Sequence, residues 1–333
     1  MPTPFRFTTP SPPKSATGRV AGVYAQLADD FGIERAVTFV VLSPAPDLMA
    51  SAWALMRESL IAGEGSRTGK ELAALGVSVA NRCPFCVDAH TMLLHATGDH
   101  RLAETVARGE TPADEEHARV LAWGGATRSP GAPELTPHPF PVAHAPAYIG
   151  TALSFHFINR VVSALLTESL LPGNMQRFRA VRSLAGRSVA RTVRRRPAPG
   201  AGLELLDDAG PGPHWARGTT VGPAYAALRA AATEGEGLLD EADRFLVRET
   251  LRDWDGSHPP LAWDGLPGRS RPGARLALLA ALAPYRITDE DVTAWRKPMH
   301  TDHCLVRLVA YGAFAAVDRI ESALPVRTAE ETS

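Results

Sequence analysis

The stretch Glu71–His90, ELAALGVSVANRCPFCVDAH, holds two cysteines three positions apart, a histidine four residues beyond the second, and a glutamate twelve residues before the first. Its local signals are helical on both sides of a break. Thr68-Gly69-Lys70-Glu71 has the form of a capping box, with Thr68 as N-cap and Glu71 at the third helical position. The periodicity predicts a helix to about Asn81, a turn at NRCPFC, and a new helix opening at Pro84, where a missing N–H costs nothing. Cys83 is then the N-cap, Cys86 sits in the first turn, and Gly98 is the expected stop.

A thiol at the positive end of a helix, facing free N–H groups, is expected to ionise more readily than an ordinary cysteine. Cys86 therefore reads as the activated sulfur. His90 lies one turn further along the same face and can exchange a proton with it. Glu71, on the preceding helix, can orient the His90 ring if the turn brings the two together; otherwise it serves as a cap. Cys83 is placed to close a disulfide. Metal binding is the competing reading, because Cys83, Cys86, His90 and His95 resemble a zinc set. At about 100° per residue, however, His95 falls opposite Cys86 on a continuous helix. A zinc site completed by a ligand from elsewhere stays an alternative. A thioredoxin-like fold needs strands beside the CxxC, and the chain lacks them.

Working outward, 333 residues suit two domains or two repeats, and a formal charge of −1 offers no global field for nucleic acid or an anionic membrane. Three cysteines exclude a disulfide scaffold. Residues 1–18 are proline-rich without a secretion signal's apolar core, so they read as a disordered arm on a cytoplasmic protein. Val142–Asn159 is the least charged run and reads as a buried helix, its histidines and proline making a poor membrane span. AVTFVVLSP, Ala36–Pro44, is the best strand candidate but has no hairpin partner, so the fold class is all-α. Residues 173–222, arginine-rich and then Gly/Pro-rich, read as a linker whose arginines are solvated.

IGTALSFHFINRVVSAL aligns without a gap on LVAYGAFAAVDRIESAL, matching Phe155 to Phe314, Arg160 to Arg319 and Ser163-Ala164-Leu165 to Ser322-Ala323-Leu324, an offset of 159 positions. This suggests an internal duplication. The same offset puts Ala242, Phe245 and Glu249 where Cys83, Cys86 and His90 stand, so the second half is expected to be redox-silent. The expected organisation is an arm at 1–18, a cysteine-bearing domain at 19–172, a linker at 173–222, a degenerate repeat at 223–326 and a tail at 327–333. His95, His100, His117 and His144 show no partner spacing that marks ligation. Asn159-Arg160 reads as a structural polar pair, and Cys304 as a small buried apolar residue.

Glutamate, eleven residues, CxxC, three residues and histidine is the hallmark of the AhpD-like alkylhydroperoxidases of the carboxymuconolactone decarboxylase superfamily. Glu71, Cys83, Cys86 and His90 resemble it at every step, over roughly Pro46–Leu165. The resemblance implies an all-α fold and a thiol peroxidase in which Cys86 attacks the peroxide, His90 and Glu71 relay the proton, and Cys83 resolves the sulfenic acid. It also implies an external dithiol or a disulfide-reductase protein as electron donor, a homo-oligomer, and no bound cofactor or metal. One departure stands out: the best-known members carry a second histidine between the cysteines, where this chain has Phe85. Decarboxylase members lack the cysteine pair. The alternatives are a thiol-disulfide oxidoreductase that never meets peroxide, and a non-enzymatic redox-sensing or interaction protein.

Overall fold

Alanine and leucine at helical spacing, with few β-branched runs, leave this chain little to form but helix. The computed structural model describes residues 3–168, 175, 178–207 and 210–325, so the predicted tail at 327–333 and parts of the predicted linker lie outside the described residues. Among the described residues there are fourteen α-helices. The first half holds α1 (Gly18–Gln26), α2 (Val37–Val40), α3 (Pro46–Met56), α4 (Arg67–Ala80), α5 (Pro84–Thr97), α6 (His100–Ala107), α7 (Glu115–Ala126) and α8 (Ala145–Leu165). Then follow α9 (Arg179–Val193), α10 (Val221–Thr233), α11 (Glu241–Arg252), α12 (Pro272–Leu282), α13 (Asp289–Trp295) and α14 (Asp302–Glu321).

The fold positions the cysteine region by clamping α4 between α5, α7 and α8. A Cβ at Gly76 would lie 2.2 Å from the Leu121 carbonyl oxygen, and one at Gly124 would lie 2.2 Å from that of Ala73. α4 and α7 therefore meet backbone to backbone, which only glycine at both positions permits. α8 is the central helix, buried along nearly its whole length as its low charge predicts, and it packs against α14 from the other half. α3 likewise packs on α10. One hydrophobic core thus spans both sides of the predicted linker.

Four expectations are corrected. Ala36–Pro44 contains the short helix α2 followed by turns, and Phe39, Val40, Val41 and Leu42 are all buried. A short, uniformly apolar run suits a buried helical segment as well as a strand. The predicted disordered arm is tied down: the Arg6 N–H donates to the Leu165 carbonyl at 2.9 Å, and its guanidinium donates to the Ser163, Ala164 and Ile287 carbonyls. Within the predicted solvated linker, α9 packs on α5, with Val189 and Val193 against Leu93 and Ala96. Its arginines bind protein groups: Arg194 the Ala96 carbonyl, Arg195 the Asp30 carboxylate and Arg196 the Gly63 carbonyl. Cys304 is half-buried, near the Thr301 hydroxyl.

Candidate active site

α4 begins two residues earlier than its capping-box reading. Ser66 is the N-cap, and its hydroxyl accepts from the Gly69 N–H at 3.2 Å. Glu71 is therefore free of any capping duty and lies on the inner face of α4, fully buried. Its two oxygens accept from Arg67 Nε at 2.8 Å and from His90 Nδ1 at 2.7 Å. Burial alone would raise the Glu71 pKa, but the Arg67 charge and the His90 hydrogen bond outweigh it and hold the carboxyl below the usual carboxylate range. An ionised carboxylate only accepts, so Nδ1 of His90 carries a proton, and in the neutral ring the lone pair is on Nε2. Nε2 is buried and has no hydrogen-bond partner. His90 stacks edge-on against Phe155, with ring centroids 4.3 Å apart.

The break between α4 and α5 is sharp because Arg82 adopts a left-handed conformation, φ +54°. The Cys83 N–H then donates to the Ser78 carbonyl at 3.0 Å, and the Cys83 carbonyl receives the N–H groups of Cys86 and Val87. Cys83 is the N-cap of α5, Pro84 its first residue, and Gly98, at φ +109°, its left-handed stop, as the sequence predicts. The two sulfurs lie 2.7 Å apart as free thiols, both buried. A disulfide at about 2.05 Å is a movement of under about 1 Å away.

The expected acidity of Cys86 is corrected. Burial pushes the Cys86 thiol well above its ordinary range, and the hydrogen bond and charge of Cys83 push it further. The Asn159 amide, hydrogen-bonded to the sulfur, opposes the rise. Desolvation at a buried sulfur exceeds what a helix N-terminus supplies, typically about 0.3–1 kcal/mol. The thiol at rest keeps its proton, so the chemistry needs a base.

Cys86 and His90 line an apolar cavity of about 300 Å³, walled by Phe31, Phe39, Met56 and Phe155. Behind the cysteines lies a buried polar network that sequence reasoning treated as merely structural. Asn159 donates to the Ser78 hydroxyl and accepts from Asn81, whose own amide oxygen accepts from Arg128 at 2.7 Å. His156 sits between Asn81 and Thr127, and burial followed by the charges of Arg160 and Arg128 holds its pKa well below the ordinary value. The signal was present: His156, Asn159 and Arg160 form an i, i+3, i+4 polar stripe inside an apolar helix. His95 is turned elsewhere, its Nε2 to Glu104 at 2.8 Å and its Nδ1 to His100 at 3.1 Å. Among the described residues no group of three or more His, Cys, Asp or Glu side chains is arranged to hold a metal ion.

The pattern of the carboxymuconolactone decarboxylase family matches residues 46–128, the span that carries all four site residues. The chain is 36% identical over 321 residues to the alkyl hydroperoxide reductase Rv2159c of Mycobacterium tuberculosis (strain ATCC 25618 / H37Rv), covering 93% of this chain and 92% of the relative. No solved structure matches. The chain belongs to the carboxymuconolactone decarboxylase superfamily, on its AhpD-like side. The paired cysteines and the homology make it an oxidoreductase in general terms, and among the described residues no helix is long and apolar enough to cross a membrane.

Proposed function

We propose that the protein is a thiol-dependent peroxidase that reduces organic hydroperoxides or hydrogen peroxide through Cys86 and Cys83. The observation that carries this reading is the arrangement of the base. His90 is anchored through Nδ1 to an ionised Glu71, and its unpartnered Nε2 belongs to a residue that lines one cavity with Cys86. His90 Nε2 takes the Cys86 proton, the thiolate attacks the nearer peroxide oxygen, and the O–O bond breaks. His90 returns the proton to the departing alkoxide, leaving an alcohol and a Cys86 sulfenic acid. Cys83 then displaces hydroxide, which leaves as water with the Cys83 proton, and the disulfide closes. An external dithiol, free or carried by a protein, restores both thiols.

The apolar lining favours alkyl hydroperoxides over hydrogen peroxide, because burying an alkyl chain there contributes about 0.8 kcal/mol per CH₂. The name of the Mycobacterium relative agrees with this substrate class. The half from 223 to 326 is read as a silent repeat, its α14 lying at the 159-residue offset from α8 and packing against it. The assembly is read as a homo-oligomer acting in the cytoplasm without metal or cofactor. The test is consumption of cumene hydroperoxide by the reduced protein with dithiothreitol as donor. The wild type should turn over, Cys86→Ser should not, and Cys83→Ser should stop at a dimedone-reactive sulfenic acid. Equal decay rates for wild type and Cys86→Ser would remove the peroxidase reading.

A further inference from the structure

The cysteine pair borders two cavities, one strongly apolar and one of mixed, more polar lining. One is the apolar cavity shared by Cys86 and His90. The other, of about 400 Å³, is lined by Cys83, with Arg6, Arg82, Thr167, Glu168 and Tyr285 around it. The two linings have one residue in common, Phe85. That side chain, between the cysteines in sequence, is buried and borders both cavities.

We infer that the polar cavity at Cys83 is the reductant's site, so that hydroperoxide and dithiol reach the cysteine pair through separate openings divided by Phe85. The inference rests on the peroxidase reading and adds where the electrons come in. Attack on Cys83 is the productive direction. The reductant's thiolate bonds to Cys83 Sγ, the Cys83–Cys86 bond breaks, and Cys86 leaves as a thiolate beside the Asn159 amide and takes up the proton that the reductant's first thiol gave up. The reductant's second thiol, losing its proton, attacks the reductant sulfur of the mixed disulfide. Cys83 is released and protonated, and the reductant departs as a cyclic disulfide. Two electrons and two protons pass from the dithiol to the pair.

Separation serves the chemistry, because neither reactant then has to leave before the other can bind. The linings differ: phenylalanines dominate one cavity, with Arg35 in its wall, and two arginines, a glutamate and a tyrosine join Val162 and Leu166 in the other. The arrangement also gives the cysteine-free regions a task. Arg6 comes from the N-terminal segment, held by three carbonyl oxygens, and Tyr285 comes from the second half.

The experiment times the two half-reactions separately in the full chain. Protein oxidised with diamide is re-reduced by dithiothreitol, and reduced protein is oxidised by cumene hydroperoxide, each followed by thiol counts. Thr167→Trp, which fills the polar cavity from an exposed position, should slow re-reduction at least tenfold and leave oxidation within twofold of wild type. Ala89→Trp, in the apolar cavity, should do the reverse. Ser163→Phe, from the polar lining, replaces Thr167→Trp if circular dichroism shows the latter unfolded. Re-reduction at the wild-type rate in the polar-cavity variants, or both half-reactions slowed alike by either class, overturns the inference. If wild-type protein ignores cumene hydroperoxide, the peroxidase reading fails, while the diamide arm still decides where the dithiol enters.

Discussion

Replacing Glu71 by glutamine changes one oxygen to an amino group at a position with no access to solvent. The carboxylate now serves two donors, Arg67 Nε at 2.8 Å and His90 Nδ1 at 2.7 Å, and a glutamine has one acceptor for both. The charged guanidinium takes it, being the stronger donor. The amide NH₂ then faces His90, whose Nδ1 must become the acceptor, and the ring proton moves to Nε2. A protonated Nε2 cannot deprotonate Cys86. General-base catalysis is typically about 10²–10⁴-fold, so the rate constant for oxidation by cumene hydroperoxide should fall by about that factor. Affinity for the peroxide should hardly change, since Glu71 is not part of the apolar cavity wall.

The same substitution removes half of a buried ion pair, which costs about 3–5 kcal/mol when one charge is left fully uncompensated. Arg67 keeps 15% of its side-chain surface and a neutral acceptor, so the loss should sit at the low end of that range. Stopped-flow oxidation of Glu71→Gln and a parallel denaturant titration separate the two effects. The defect should narrow as pH rises, because hydroxide can then ionise Cys86 without help from His90. A variant oxidised within threefold of the wild-type rate at neutral pH, or a defect of the same size at every pH, would show that Glu71 is only a structural partner of Arg67.

Because burial holds the Cys86 pKa above the ordinary cysteine value, its thiolate fraction grows only as pH rises past that value; alkylation of reduced Cys83→Ser protein by iodoacetamide should keep accelerating above about pH 9. A plateau reached near neutrality would contradict this. Glu71 has the opposite dependence: its folded pKa lies below the ordinary 4.5, so its contribution to stability is present above that value and is lost as acid takes pH down through the lower folded one. In acid titrations at fixed denaturant, Glu71→Gln should therefore show a shallower loss of stability than wild type. Gly76→Ala places a Cβ 2.2 Å from the Leu121 carbonyl oxygen and should cost about 1–3 kcal/mol or more, read as a lowered denaturant midpoint. Leu93→Ala, on the α5 face that α9 covers, should cost about 2–5 kcal/mol in the same measurement.

What could be read from the sequence was what local chemistry decides. Pro84 and Gly98 bound α5 because one fixes φ and the other permits a left-handed residue, and neither needs a tertiary partner. The four spaced residues marked the candidate site for the same reason: Cys86 and His90 lie a turn apart on one helix whatever surrounds them. The errors fall where distant groups compete. Ser66 and Thr68 are both competent caps, and the choice passes to Ser66 because the Glu71 carboxylate is engaged by Arg67 and His90. The acidity expected of Cys86 considered the helix end and omitted desolvation, which depends on side chains far away in the chain, Phe155 and Phe39 among them.

The arginine-rich segment went unread for a related reason. Its charges suggested solvent, but a helix can send arginines to carbonyls and carboxylates at its edges while a narrow apolar stripe does the packing. Gly186 lets α9 lie close on α5; a Cβ there would meet that of His95 at 2.8 Å. Arg182 at the start of α9 grips Glu104, which also holds His95. The outer face of the cysteine helix is thereby fixed by residues about a hundred positions downstream, and its inner face by Glu71 and the Asn159 network. A helix held on both faces keeps the registry between Cys86 and His90 while the sulfurs bond and part. The motion needed to close the disulfide is then confined to Cys83 and the turn before it, where Arg82 already departs from helical geometry.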